Sequence, residues 1–206
     1  FRDTFDLPLS EITLLITINF LIQLLIDMLS AGFIDRIGYR ASVILAHICS
    51  AVGLVSLTVL PELLPSAYAG ILISVMIYAV GGGLIEVLIS PIIEACPSDN
   101  KEKAMSLLHS FYCWGAVAVI LFSTAFFTIF GINNWRILAC IWALIPICNV
   151  FNFLTCPIES LTEDGQGLSI RQLCNIPIFW VALVLMVCAG ASEISMAQWA
   201  SAYTES

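Results

Sequence analysis

The chain has 206 residues, of which 60% are apolar and 11% charged, and its formal net charge is −8. Its mean hydropathy is +1.02. Soluble domains carry about 25% charged residues and 45–50% apolar ones, so this composition excludes soluble enzymes, nucleic-acid-binding proteins and disordered tails. Seven Lys and Arg residues in the whole chain form no basic patch for a nucleic acid. The composition predicts an integral membrane protein.

Six apolar runs are long enough to cross about 30 Å of hydrocarbon as helices, which takes roughly 20 residues each. Continuous runs of this length differ from the alternating pattern of barrel strands, and helices satisfy their own backbone hydrogen bonds in lipid. The sequence therefore predicts an all-α polytopic membrane protein, with spans at about 9–33, 41–60, 67–90, 105–130, 135–156 and 177–200.

The positive residues between the spans predict their orientation. Five Lys and Arg residues follow the first, third and fifth spans, and two, Arg2 and Arg136, lie on the opposite side. Because positive residues are enriched in cytoplasmic loops, we expect loops 34–40, 96–104 and 157–175 in the cytoplasm and a multi-pass protein of the cell membrane. Phe1 then lies outside, so we expect one more span upstream in a longer protein. The alternative is a complete six-helix protein with both ends outside.

The first span has polar residues along one face. Asn19, Gln23, Asp27 and Ser30 fall within an arc of about 80° at 100° per residue. Such a stripe lines a water-filled cavity or forms hydrogen bonds to a neighbouring helix, and both interpretations stay open for Asn19 and Gln23. Asp27, near the inner end of the span, is interpreted as structural.

The third span carries a glutamate in its interior. Glu86 follows three glycines, 81–83, and precedes Pro91. Glycines let another backbone approach closely, and an ionised side chain at mid-membrane costs about 2.5–3.5 kcal/mol on insertion scales. A carboxyl whose surroundings alternate between wet and dry can bind and release a proton, so Glu86 is the candidate proton carrier. The alternative is a permanently protonated Glu86 that donates a hydrogen bond between helices.

The later spans hold further candidates for a substrate site. His109 lies about one turn inside the fourth span, near Tyr112 and Trp114, and either binds substrate or belongs to an interfacial aromatic belt. Asn149 and Asn152 of the fifth span are interpreted as packing contacts. The outer half of the sixth span becomes polar, which fits either cavity lining or interface anchoring by Glu193, Gln198 and Trp199.

The eight cysteines lie mostly inside spans and show neither a CxxC motif nor the spacing of metal ligands. Free cysteine in such surroundings behaves as a small apolar residue, so no metal site is expected. Motifs such as HExxH and GxSxG are also absent from the sequence. We therefore expect no enzyme activity and assign no catalytic residue.

The connection after the first span contains a known motif. AGFIDRIGYR (31–40) resembles the signature loop of the major facilitator superfamily, written roughly G-x-L-x-D-R-x-G-R-R/K, which joins that family's second and third helices. Ala31 replaces the leading glycine and Tyr39 replaces a basic residue. The matching residues, which the resemblance implies form a cytoplasmic latch in one of the carrier's two states, are Asp35, Arg36, Gly38 and Arg40.

By this resemblance the six spans correspond to helices two to seven of a 12-helix fold. Residues 1–156 are then the N-terminal transmembrane bundle without its first helix, 157–175 the cytoplasmic linker, and 176–206 the first helix of the C-terminal bundle. GGGLIEVLISPIIE (81–94) is similar to the fourth-helix pattern of the fucose/galactose/hexose–proton symporter branch, in which an essential glutamate stands at the position of Glu86. Val87 and Ser90 replace the Thr and Asn of that pattern.

The resemblance implies a secondary active transporter that moves a small neutral solute, such as a sugar, by proton-coupled alternating access. No cofactor is expected, because a proton gradient would drive transport through Glu86. The alternative is a facilitator-type antiporter or uniporter for drugs, polyols or other metabolites; a receptor or non-transporting scaffold is a second one. Expected partners are a small-molecule substrate and the lipid bilayer, with no nucleic acid, and the full-length carrier is expected to be a monomer. Candidate substrate-binding residues are Asn19, Gln23, His109, Glu193, Gln198 and Trp199.

Overall fold

The computed structural model describes residues 2–5, 7–158 and 170–205, without the side chains at 2, 3, 31, 35, 170, 193, 194 and 196–205. Within these residues every regular element is a helix, which confirms the all-α prediction. The α-helices are α1 (Arg2–Phe5), α2 (Leu9–Ile37), α3 (Tyr39–Leu63), α4 (Ala67–Ala95), α5 (Lys101–Phe130), α6 (Trp135–Thr155), α7 (Ile170–Cys174) and α8 (Pro177–Glu205), with a 3₁₀ turn at Ile132–Asn134 before α6.

Five helices of the described chain are long and apolar enough to cross a membrane, and they coincide with the first five predicted spans. Their membrane-length segments are Leu9–Ser30, Tyr39–Leu63, Ala67–Ala95, Lys101–Phe130 and Ile132–Thr155. The sixth predicted span falls on α8, whose described apolar part, Pro177–Ser192, is shorter. This is therefore a multi-pass membrane protein.

The connection predicted as a loop at 34–40 is almost entirely helical. Helix α2 continues to Ile37, α3 begins at Tyr39, and Gly38 alone separates them with φ 89° and ψ 150°. A positive φ of this size favours glycine, because a Cβ atom would clash with the backbone. The polar residues of the motif therefore lie in the ends of two helices and not in a loop.

Glycines set the close packing of α3 on α4. A Cβ atom on Gly53 would lie 2.5 Å from the Cβ of Tyr78, and one on Gly70 would lie 2.5 Å from the carbonyl carbon of Leu60. Contacts this short leave no room for a side chain, so the two helices pack backbone against backbone. Helix α3 packs on α6 with its other side.

Two apolar clusters hold α2 against the pair α3–α4. One contains Leu7, Leu15 and Ile71; the other joins Ile34 of α2 to buried residues of α3 and α4, among them Leu88. Since Leu15 is near the start of α2 and Ile34 near its end, α2 and α4 run in the same direction. In α5, all of whose residues are described, only Phe126 is buried.

The helices divide into two units, α1–α6 and α7–α8. Residues 159–169 of the predicted linker at 157–175 lie outside the described residues, and the linker's last part contains α7. The division into an N-terminal bundle, a linker and the start of a C-terminal bundle stays a prediction.

Candidate functional site

The polar face of α2 lies against α4. Asn19 is 9% exposed and Ser30 is fully buried, while Gln23 and Asp27 are half-buried. Gln23 meets the glycine run of α4, because a Cβ atom on Gly82 would lie 2.8 Å from its Nε2. We call this contact the α2–α4 seam and define it by the polar face of α2 (Asn19, Gln23, Asp27 and Ser30) together with Gly82 and Gly83 of α4.

Gly83 brings the two backbones of the seam together. A Cβ atom there would lie 3.1 Å from the Cα of Gln23 and 3.2 Å from both its carbonyl oxygen and the Cβ of Ile26. The obstacle is mostly backbone, which cannot rotate away. At Gly82 the obstacle is the end of the Gln23 side chain, which can move. The glycines predicted to allow a close approach therefore do so: Gly82 and Gly83 meet α2, whereas Gly81 meets Ala46 and Ser50 of α3.

Glu86 lies one turn beyond these glycines and is exposed on the unit formed by α1–α6. Pro91 does not end the helix, since α4 continues to Ala95. An ionised side chain in lipid costs about 2.5–3.5 kcal/mol on insertion scales, so a carboxyl on an uncovered face of a membrane helix needs water or further protein against it.

The seam contains acceptor oxygens without donors. Four buried side-chain oxygens of the described residues have no hydrogen-bond partner, and two of them, Asn19 Oδ1 and Asp27 Oδ1, belong to the seam; the others are the hydroxyls of Ser42 and Tyr68. A hydroxyl can rotate to donate its own proton. An amide or carboxylate oxygen only accepts, so the Asn19 and Asp27 oxygens need water or another donor.

His109 is not part of the seam. It is exposed on α5, as are Tyr112 and Trp114, which are 67% and 71% exposed. Among the described residues the His109 side chain has no hydrogen bond, and no contact brings it to Asn19 or Gln23. Three further predicted residues lie on α8, and their side chains are not among those that the structure describes: Glu193, Gln198 and Trp199. Of the predicted substrate residues, the structure therefore brings together Asn19 and Gln23.

The motif residues lie where α2 ends and α3 begins, and Arg40 reaches the C-terminal end of α6. Arg40 NH2 donates a hydrogen bond to the carbonyl of Cys156, the residue that caps the C-terminus of α6, at 2.8 Å. A cation there is favoured by the helix dipole. Arg36 is exposed in the last turn of α2, and the side chain of Asp35 lies outside the described side chains. Arg40 thus acts as a helix cap in this state.

A buried histidine that the sequence reading did not single out joins α3 to α6. His47 is 7% exposed; its Nδ1 lies 2.8 Å from the carbonyl of Val43 and its Nε2 3.2 Å from Asn149 Nδ2. A carbonyl only accepts, so Nδ1 carries the proton and Nε2 accepts from Asn149. Phe153 packs on the ring, with centroids 5.2 Å apart. The sequence signal that could have found this pair is one polar residue inside each of two apolar spans, His47 in the second and Asn149 in the fifth.

The other features of the described residues that could bind a ligand or a metal lie away from the seam. A cavity of about 620 Å³ between α3, α5 and α6 is lined by aromatic residues such as Trp135 and Trp142 and contains none of the predicted site residues. The eight cysteines are free, and seven of them are exposed, not buried. No group of three or more His, Cys, Asp or Glu side chains that could hold a metal is found in the described part of the chain.

Comparison with known families gives one match. The family model described as Major Facilitator Superfamily matches residues 1–206. No curated protein and no solved structure matches the chain.

Proposed function

The chain belongs to the major facilitator superfamily and is therefore a membrane transporter, and we propose that it moves a small neutral solute by proton-coupled alternating access. A sugar is the proposed class of substrate, and Glu86 is the proposed proton carrier. The resemblance of residues 81–94 to the sugar–proton symporter branch supports both. The proposed setting is the cell membrane, with segments 34–40, 96–104 and 157–175 in the cytoplasm and the full-length carrier a monomer.

The position of Glu86 is the observation that carries the proposal. It stands in the interior of the membrane-length helix Ala67–Ala95, exposed and next to a glycine contact. In a carrier that rocks between two states, such a carboxyl meets water from one side and then from the other. It takes up a proton in one state and releases it in the other, which couples solute movement to the proton gradient.

The substrate is proposed to bind through polar and aromatic side chains that face the same space as Glu86. Asn19 and Gln23 are near the glycine run and can donate and accept hydrogen bonds with hydroxyl groups. His109 on α5 is exposed and can meet the same space. The interiors of the first five spans contain no Lys or Arg, and Arg136 lies at the start of the fifth. The lack of a cation inside these spans favours a neutral solute over an anion. Three further proposed residues lie on α8: Glu193, Gln198 and Trp199.

The motif at the ends of α2 and α3 is proposed to latch one of the two states. A latch works only if its contacts exist in one state and not in the other. The bond from Arg40 to the end of α6 is proposed to be one such contact, and Gly38 supplies the tight turn between α2 and α3. Asp35 and Arg36 are proposed to contribute the remaining charges.

Uptake by the full-length protein in proteoliposomes tests this function. With an inward proton gradient and a panel of neutral hexoses, we expect uphill accumulation by the wild type. Glu86→Gln keeps the shape of the side chain but cannot ionise, so accumulation should fall to equal concentrations on both sides while exchange continues. Glu94→Gln, another exposed acid on α4, is the matched control and should accumulate normally. Undiminished accumulation by Glu86→Gln would refute the proton-carrier assignment.

The same vesicles separate the alternative transport modes. A uniporter for polyols or other metabolites equilibrates its substrate whatever the proton gradient. An antiporter for drugs accumulates its substrate only when the gradient is reversed. If no hexose moves under either gradient, the sugar proposal fails and polyols become the next panel.

A further inference from the structure

Helices α2 and α4 keep one register along the seam. Leu15 and Ile71 belong to one apolar cluster, Ile34 and Leu88 to the other, and between them Gln23 lies against Gly82 and Gly83. The helices therefore stay in contact on both sides of the glycine contact and run in the same direction. One turn beyond that contact, α2 presents Asp27 and α4 presents Glu86.

The two carboxyl groups lie on facing sides of these helices. Asp27 is four residues after Gln23, and Glu86 is four residues after Gly82 and three after Gly83. Residues three or four apart share one face of a helix, so Asp27 and Glu86 continue the faces that meet at the glycines. Asp27 is half-buried and Glu86 is exposed, which puts Glu86 on the open side of the pair.

Asp27 Oδ1 has no access to solvent and no hydrogen-bond partner among the described residues. A permanently ionised Asp27 would need a donor there, because an unsatisfied buried acceptor costs about 1–3 kcal/mol, and more when it is charged. Asn19, 9% exposed on the same face, also leaves its Oδ1 without a partner. Two acceptors without donors on one face indicate that the seam receives protons or water.

The other ionisable groups of the elements packed on α2 have different surroundings. Glu94 lies two turns beyond Glu86 on α4, and His47 on α3 is bonded to Val43 and Asn149. The remaining ionisable residues of these three helices lie elsewhere along them: Glu11, Asp35 and Arg36 on α2, Tyr39, Arg40, Cys49 and Glu62 on α3, and Tyr68 and Tyr78 on α4. Glu86 is thus the acid that the register places at the depth of Asp27.

We propose that Asp27 is a second proton-binding residue and that it shares one proton with Glu86. The inference rests on the proposed role of Glu86 and extends it to a carboxyl pair. Two carboxylates side by side in a medium of low dielectric constant do not both ionise readily, so the resting pair holds one proton and one negative charge. The sequence interpretation of Asp27 as merely structural is then replaced by a role in proton transfer.

The transfer needs no other reactant. In the singly protonated pair the proton passes from a carboxyl oxygen of Glu86 to Oδ1 of Asp27, and the negative charge moves the opposite way. A second proton from the water side then neutralises Glu86. Loss of a proton from Asp27 to the other side restores the starting pair, so one proton crosses for each cycle.

Carbodiimide labelling tests the pair without any substrate. Dicyclohexylcarbodiimide reacts with protonated carboxyl groups in apolar surroundings, and mass spectrometry of the full-length protein in proteoliposomes measures the label on Glu86 against pH. Interacting carboxyls titrate in two steps that belong to the pair. The wild type should therefore show two steps, Asp27→Asn a single one, and Asp27→Glu two again. Ser74→Ala, a buried change on α4 outside the seam, is the control and should keep two steps.

The outcomes separate this inference from the proposed function. Two unchanged steps in Asp27→Asn overturn the shared proton, whatever Glu86 does. Hexose accumulation that is lost in Glu86→Gln but normal in Asp27→Asn keeps Glu86 as the carrier and overturns the pair. If Glu86→Gln itself accumulates normally, the proposed function fails first. Loss of accumulation in both variants, with folded protein by size-exclusion chromatography and a single labelling step in Asp27→Asn, supports the pair.

Discussion

The α2–α4 seam and the contact between α3 and α6 both bury polar groups inside membrane-length helices. They differ in whether those groups have hydrogen-bond partners. Between α3 and α6, His47 bonds to Val43 and Asn149, and both ring nitrogens are satisfied. In the seam, acceptor oxygens of Asn19 and Asp27 have no donor among the residues that the structure describes. Satisfied polar groups stabilise a contact, whereas unsatisfied ones cost stability and persist where function requires them.

The helix approach at the seam gives the largest expected effect. Gly83→Val places a branched side chain against the Gln23 backbone, and overpacking of this kind costs about 1–3 kcal/mol or more. We expect little folded protein by size-exclusion chromatography in detergent. Gly115→Val is the matched control, because a Cβ atom on Gly115 meets nothing within 4 Å. Equal yields of the two variants would contradict the close approach.

The histidine contact gives an intermediate effect on stability alone. His47→Leu leaves the half-buried Asn149 amide without its partner, which costs about 1–2 kcal/mol. Changing Asn149 to Leu as well removes the unpaired group, so the double variant should recover most of the loss in thermal unfolding. Proton-driven uptake should keep its dependence on the gradient in both variants. A change in coupling would show that the α3–α6 contact also takes part in transport.

The two arginines of the motif give the smallest expected difference in stability and extend the comparison to the ends of the helices. Arg40→Ala loses a bond to the α6 C-terminus, worth about 0.3–1 kcal/mol, and should lower the unfolding temperature. Arg36→Ala removes an exposed cation from the last turn of α2, where the helix dipole alone stabilises it less than the dipole and a direct hydrogen bond stabilise Arg40, so its unfolding temperature should fall by less. If the latch proposal holds, both variants insert normally and both transport more slowly. Wild-type uptake by Arg36→Ala would argue against the latch.

Much of the fold could be predicted from the sequence because crossing lipid imposes simple requirements. A run of about 20 apolar residues must be helical, and five of the predicted spans are helices of the required length. The ends of the helices are harder to predict from the sequence. Hydropathy predicts a loop at charged residues such as Arg36, but these residues continue α2 until Gly38 ends the helix. Helix ends depend on local backbone geometry, which hydropathy does not report.

The site could be predicted only in part. Polar residues inside apolar runs pointed to Asn19, Gln23 and Glu86, because such residues are costly in lipid and need a reason. The pairing of Asp27 with Glu86 and of His47 with Asn149 depends on which helices are neighbours. The spacing of residues along the chain does not indicate which helices are neighbours.

Composition and spacing alone determined that this protein is a helical membrane protein and that a carboxyl group stands inside its third span. Both follow from the free energy of transfer to lipid, which each segment meets by itself. The tertiary structure decided which polar groups have partners, since a hydrogen bond joins residues far apart in the chain. The glycine contact at 82–83 places Asp27 and Glu86 at one depth. The packing of α3 on α6 gives His47 a hydrogen-bond partner in Asn149.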